Sequence, residues 1–159
     1  MVAGVAPSRA SAWVRVAALA GVVVALDQIT KQIVTASINR GDSHQIIFGI
    51  DIANVRNKGV AFGLLADGDV PVLLLTLAAL ALLLIYFGSH TDRPQLWIAV
   101  GLLLGGAIGN LVDRVRLGAV VDFIDPPVWP AFNVADVAIV AGVALLVISL
   151  GSPQGTAAR

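Results

Sequence analysis

The chain has 159 residues, 58% of them hydrophobic and 13% charged, against about 45–50% and about 25% in soluble domains, so its composition is that of a membrane protein. Ten Lys and Arg balance ten acidic residues, all of them aspartate, which leaves no basic field to attract nucleic acid. The absence of cysteine excludes disulfides, thiolate nucleophiles and thiolate metal sites, and the two histidines, His44 and His90, fall in no zinc-binding spacing.

The first apolar segment runs from Trp13 to about Ile38. It follows Arg9 and Arg15 like a signal-peptide core, but it continues through Asp27 and Lys31 with no small-residue cleavage site, so we read it as a retained anchor. In ALDQITKQI, Asp27 and Lys31 stand four residues apart and share a helical face, where opposite charges pair. Charge within a span is costly and faces protein or water; the pair either anchors the helix end or touches a substrate.

Residues 39–69 form the longest connection, and QIIFGIDIANV at 45–55 predicts strands lying against the membrane surface. Within NKGVAFGLL, Asn57 either braces a turn that Gly59 permits or holds a substrate backbone. A second span is expected over 70–88, and SHTDRPQ at 89–95 is a tight turn into a third span over 96–115. There Gly101, Gly105 and Gly109 make a small-residue stripe for close helix packing, followed at once by Asn110, Asp113 and Arg114. The third connection, about 116–133, carries Pro126, Pro127, Trp129 and Pro130 and reads as an ordered interfacial loop. A fourth span occupies 134–150, and both tails read as mobile ends. The whole chain, 1–159, is expected to be one membrane domain without internal repeats.

Lysine and arginine counts do not separate the two membrane faces, but antiparallel parity does. With four spans, the end of the first, the long connection, the end of the third and the start of the fourth share one face. Asp27, Lys31, Asn57, Asn110, Asp113, Arg114, Asp122, Asn133 and Asp136 all fall there, whereas the other face has only tails and a short turn.

VVDFIDPPVWPAFNVADVAIV at 120–140 gathers three aspartates on that face. Asn133 and Asp136 suit a helix N-terminus, and Asp122 and Asp125 suit turns ahead of the prolines. Aspartates with carbonyls can also hold a hard cation. A further reading pairs two carboxylates at a low-dielectric interface. Sharing a proton, one acts as base toward water and the other as acid toward an amide carbonyl. Asp136 would sit on the helix, with Asp122 or Asp125 reaching it from the loop.

ALDQITK, NKGVAFG, GNLVDR, VVDFID and FNVAD, in this order over about residues 20–150, resemble the bacterial lipoprotein signal peptidases, or signal peptidase II. The resemblance implies an integral membrane, mainly α fold of four transmembrane helices, with a small extracytoplasmic β-cradle after the first. It implies an aspartic endopeptidase of the bacterial cytoplasmic (inner) membrane with cytoplasmic termini. Its substrate would be a diacylglyceryl-modified prolipoprotein, cut before the lipidated cysteine. The implied dyad is Asp122 and Asp136, which sets Asp125 aside. Asn57, Asn110, Arg114 and Asn133 match polar residues around the site, Asp27 and Lys31 the first motif, and Asp113 a support. No cofactor or metal is implied; the partners are the lipidated precursor and membrane lipids, with no nucleic acid, and the protein is expected to be a monomer. Val60 stands where the family commonly has alanine, and the loop between Asp122 and Asp136 is short.

Two other classes compete. A small proton-coupled transporter would also carry intramembrane carboxylates, but predicts repeats or broken spans. A membrane scaffold gives no reason for polar residues to collect on one face.

Overall fold

The computed structural model describes residues 8–47, 49–58, 69–93 and 95–151. Residues 1–7 and 152–159 of the tails, Phe48, 59–68 with the GVAFG part of the NKGVAFG motif, and Pro94 of the short turn lie outside the described residues, whereas residues 9–12, read as part of the N-terminal tail, belong to the first helix. In chain order the elements are α1 (Arg9–Ser37), β1 (Ser43–Ile47), β2 (Ile50–Asn57), α2 (Asp69–Ser89), α3 (Leu96–Leu117), β3 (Val120–Asp125) and α4 (Val134–Gly151).

Helix α1 opens on Ser8, whose Oγ accepts from the Ser11 amide at 3.2 Å and so satisfies one of the N–H groups a helix start leaves unpaired. Its buried residues, Ala12, Val16, Ala20, Val23, Asp27, Lys31 and Val34, recur every three or four positions and form one stripe. That stripe lies on α3. Along α3, Gly101 faces Leu19, Gly105 faces Ala20 and Val23, and Gly109 faces Asp27, all within a distance at which a Cβ would collide. The expected small-residue stripe is therefore a packing surface for α1. Its neighbour Gly106, not singled out in the sequence, does the same for α4: an added Cβ would stand 2.5 Å from the Ala135 carbonyl oxygen. Gly142 of α4 returns the contact against Ala99 and Leu103. Helix α3 is thus the central post, with α1 and α4 held at backbone distance on two of its faces.

Helices α1, α3 and α4 are each long and apolar enough to cross a bilayer. The apolar stretch of α2 among residues with described side chains is Leu74–Ser89, shorter than that requirement. Helix α4 has 18 residues, so it is about 27 Å long, close to the roughly 30 Å of bilayer hydrocarbon.

The predicted strands form β1 and β2, antiparallel, with the sheet order β1-β2-β3. The third strand corrects the sequence reading of 116–133 as a loop. Helix α3 stops at Gly118, whose φ of 65° places it in the left-handed region and whose amide bonds to Arg114 O at 3.0 Å. The chain then pairs VVDFID antiparallel with β2, setting Val55 opposite Asp122. The prolines act only afterwards, and Phe132 returns to bridge Ile124. Val34 and Ile38 of the α1 end pack with Phe123, clamping the sheet to the helices.

The opposite end is closed by apolar and cationic contacts. Trp13 meets Phe87 edge-on at 4.9 Å, Arg15 lies over the Trp97 ring, and Arg93 donates to Ser149 O at 3.1 Å.

Replacing Gly106 with alanine forces α3 and α4 apart at the turn that carries Ala135. We expect a loss of about 1–3 kcal/mol from overpacking, seen as a lower melting midpoint in micelles. An unchanged midpoint would mean that the two helices separate without cost.

Candidate active site

The site assembles where α1 and α3 end and α4 begins. Lys31 is buried between two aspartates, its Nζ 2.8 Å from Asp27 Oδ2 and 2.9 Å from Asp113 Oδ2. A third bond, 3.0 Å, goes to Asn110 Oδ1. An ammonium has three protons, so Lys31 is fully committed to protein partners. Each aspartate then reaches another element. Asp27 Oδ1 accepts from the Ala135 amide in the first turn of α4 at 3.0 Å. Asp113 Oδ2 accepts from the Val121 amide of β3 at 3.0 Å. One buried cation thereby joins α1, α3, α4 and the strand that carries Asp122.

Gln28 completes this group and was not anticipated from the sequence. Its Nε2 lies 3.2 Å from Asp27 Oδ2, 3.2 Å from Gly109 O and 3.0 Å from Asp113 Oδ1. The available signal was a third polar residue inside ALDQITK. Asn54, also unanticipated, ties β2 to the end of α1 through Nδ2 and Ile38 O at 2.8 Å.

Asp136 and Asn133 form a reciprocal cap at the start of α4. The Asp136 amide donates to Asn133 Oδ1 at 3.0 Å, and the Asn133 amide donates to Asp136 Oδ2 at 3.1 Å, the capping-box arrangement with aspartate in the role of glutamate. The capping reading of the sequence is therefore correct for this pair, but the cap extends beyond its own helix. Asn133 Nδ2 donates to Asp122 Oδ1 at 2.7 Å and also lies 3.2 Å from Asn110 Oδ1. Asn110 Nδ2 donates to Asp136 Oδ1 at 2.9 Å, and Asn57 Nδ2 donates to Asp122 Oδ2 at 2.8 Å. Three asparagines thus hold two carboxyls, one on a strand and one on a helix, with Asn133 bonded to both.

Strand geometry separates Asp122 from Asp125. The two are three residues apart on β3, so their side chains leave opposite faces of the sheet, and Asp125 sits opposite Asp51 at the far end of the ladder. Neither is a turn former. Arg114, which the sequence placed with this group, runs back along its own helix, with Nη1 3.5 Å from Asn110 O. Among the described residues no three His or Asp side chains converge as a metal site would require.

Burial pushes the Asp122 carboxyl from its ordinary 3.8 up to about 6. The Asn57 hydrogen bond opposes this, the nearby Asp136 charge adds to it, and Asn133 and Lys31 pull it back. The site is therefore two neighbouring carboxyls, one of which resists ionisation, with a cleft on the Asp122 side lined by Val55, Arg56, Asn57, Lys58, Asp122 and Pro130. Such a pair can take a proton from water and give one to a carbonyl.

Residues 19–151 match the family described as Signal peptidase (SPase) II. The chain belongs to the signal peptidase II family. Membership makes it a peptidase that removes signal peptides from lipoproteins. It is similar to the lipoprotein signal peptidase of Moorella thermoacetica, 43% identical over 143 residues that cover 89% of this chain and 95% of that one. The lipoprotein signal peptidase of Halothermothrix orenii is 38% identical over 130 residues, covering 81% and 90%. Two solved bacterial membrane enzymes share the fold. One has a TM-score of 0.77 at 35% identity, covering 87% of this chain and 94% of that one; the other has 0.79 at 32%, covering 91% and 94%.

Two outcomes follow from the geometry. Lys31→Met leaves Asp27 and Asp113 buried without their cation, and breaking such a pair costs about 3–5 kcal/mol; thermal unfolding in micelles measures it. A raised carboxyl binds its proton more tightly folded than unfolded. Asp122's contribution to stability is therefore full below about 3.8 and is lost as pH rises through about 6. Asp122→Asn removes that part of the decline, so its melting midpoint changes less than wild type's between those pH values.

Proposed function

We propose that this chain is an aspartic endopeptidase in which Asp122 and Asp136 are the catalytic dyad. The observation that carries the reading is that one residue, Asn133, hydrogen-bonds both carboxyls, which keeps them adjacent and lets them share a proton. Burial favours the neutral form of Asp122, so it enters as the acid and Asp136 as the base. Water attacks the scissile carbonyl while Asp136 takes its proton and Asp122 protonates the carbonyl oxygen, giving a gem-diol. Collapse of the diol returns a hydroxyl proton to Asp122. Asp136 passes its proton to the amide nitrogen as the C–N bond breaks.

The substrate is a prolipoprotein carrying diacylglycerol on the cysteine that follows the scissile bond. Asn57, Asn110 and Asn133 hold the carboxyls, half-buried Arg114 contacts the substrate, and Asp27, Lys31 and Asp113 keep the frame. The chain forms a single domain and acts as a monomer in the bacterial cytoplasmic membrane. Helix α2 is its fourth span, the termini are cytoplasmic, and the sheet is an extracytoplasmic cradle over the dyad. Neither catalysis nor binding draws on a cofactor or metal.

Asp122→Asn and Asp136→Asn should each abolish cleavage of a lipidated precursor while the protein stays folded, whereas Asp125→Asn, on the opposite face of β3, should keep most of its activity. Turnover close to wild type by either dyad variant would end the assignment.

A further inference from the structure

Among the described residues two apolar hollows flank α4, and they differ in depth and in walls. The first lies between α2 and α4 on the floor of α3. Among the described residues the backbone of α2 approaches α3 but not α4, and the gap is lined by Ala79, Leu83, Leu103, Ile139 and Leu146. It continues past Ala79, Leu83 and Leu146 to Tyr86 and Leu150, the end of the bundle remote from the carboxyls. The second hollow, about 460 Å³, lies along the other side of α4. Asp136 stands at its head, Val137, Val140, Ala141 and Ala144 form its wall, and Trp129 overhangs it from the β3–α4 loop. Those four wall residues fall at i, i+1 or i+3 steps that keep them on one helical face.

We propose that this second groove holds an acyl chain of the substrate's diacylglyceryl group, and that α4 separates that chain from the signal segment on its α2 side. The assignment rests on the function proposed above and goes beyond it by giving each apolar arm of the substrate its own place. Depth is the first argument. From Asp136 to Ala144 the helix rises about 12 Å, near the roughly 15 Å of a single leaflet, which is the reach of a lipid tail. The α2–α4 gap instead runs on to the opposite end, as a membrane-crossing peptide requires. The walls give the second argument. Two helices with a third as floor can pack a peptide helix, whereas the Trp129 groove has one helical wall and opens to lipid. An acyl chain lying there keeps lipid on its exposed side at no loss, because hydrocarbon is as apolar as the wall. Continuity is the third. The groove starts at the carboxyl of Asp136, and an acyl chain tethered beside the scissile bond must enter the bilayer from there. Trp129, 70% exposed, sits at the mouth, where tryptophan favours the membrane interface.

The test is the KM ratio between two precursors of identical peptide sequence, one bearing dipalmitoylglyceryl and one diacetylglyceryl cysteine, assayed in the same micelles. For Ala141→Trp, which fills the groove from an exposed position, the long-to-short KM ratio should rise about fivefold or more over wild type. Ala79→Trp, on the opposite side of α4, should leave the ratio at its wild-type value. Ala144→Trp, one turn deeper, repeats the test should Ala141→Trp fail to fold, as judged by its melting midpoint. An unchanged ratio in the groove variants, or an equal rise for both precursors, overturns the assignment. Failure of wild type to cleave either precursor would instead count against the proposed function itself.

Discussion

Lys31 is a cation inside a membrane helix, and such a charge is tolerated only where its partners are already in place. Here two carboxylates and an amide oxygen meet it, and each of these also binds a separate part of the fold. Asp27 caps the first turn of α4, Asp113 fixes the β3 backbone, and Asn110 reaches Asp136. The ion pair is therefore not merely a local stabiliser of α1. It makes the helix ends, the strand and the first turn of α4 into one body. Loss of any member would be felt at the carboxyls before it was felt in the core.

The two carboxyls come from different kinds of backbone, and this gives them different surroundings. Asp136 lies in the first helical turn, where its carboxylate bonds to backbone and to Asn110. Asp122 stands on a strand between two asparagine amides, deep enough that burial outweighs those donors. The acid and base roles proposed for this pair need such an asymmetry, and the fold supplies it by joining a strand to a helix through a short proline-rich loop. Asparagines suit the surroundings because they donate to either carboxyl without adding charge that would force both to ionise.

Much of this could be read from the residues. Apolar length marked the helices, the four-residue spacing of Asp27 and Lys31 marked the ion pair, and antiparallel parity collected the polar residues at one end. What escaped was tertiary. VVDFID has the alternation of a strand, but the prolines that follow it suggested a loop, and with the strand went the only local reason to separate Asp122 from Asp125. Gln28 was concealed by stronger neighbours. Gly106 and Gly142 lay outside the four-residue stripe, since the α4 contact uses a different face of α3.

Helix α4 has one more consequence. Its length nearly equals the thickness of bilayer hydrocarbon, and Asp136 sits in its first turn, so the depth of the carboxyl is measured from the far membrane surface by the helix itself. A thicker bilayer draws that end below the headgroups and away from water, and a thinner one lifts it clear of the lipid phase. For the dyad proposed above, membrane thickness is in this way a physical variable of the chemistry, set by the cell's lipids rather than by the protein.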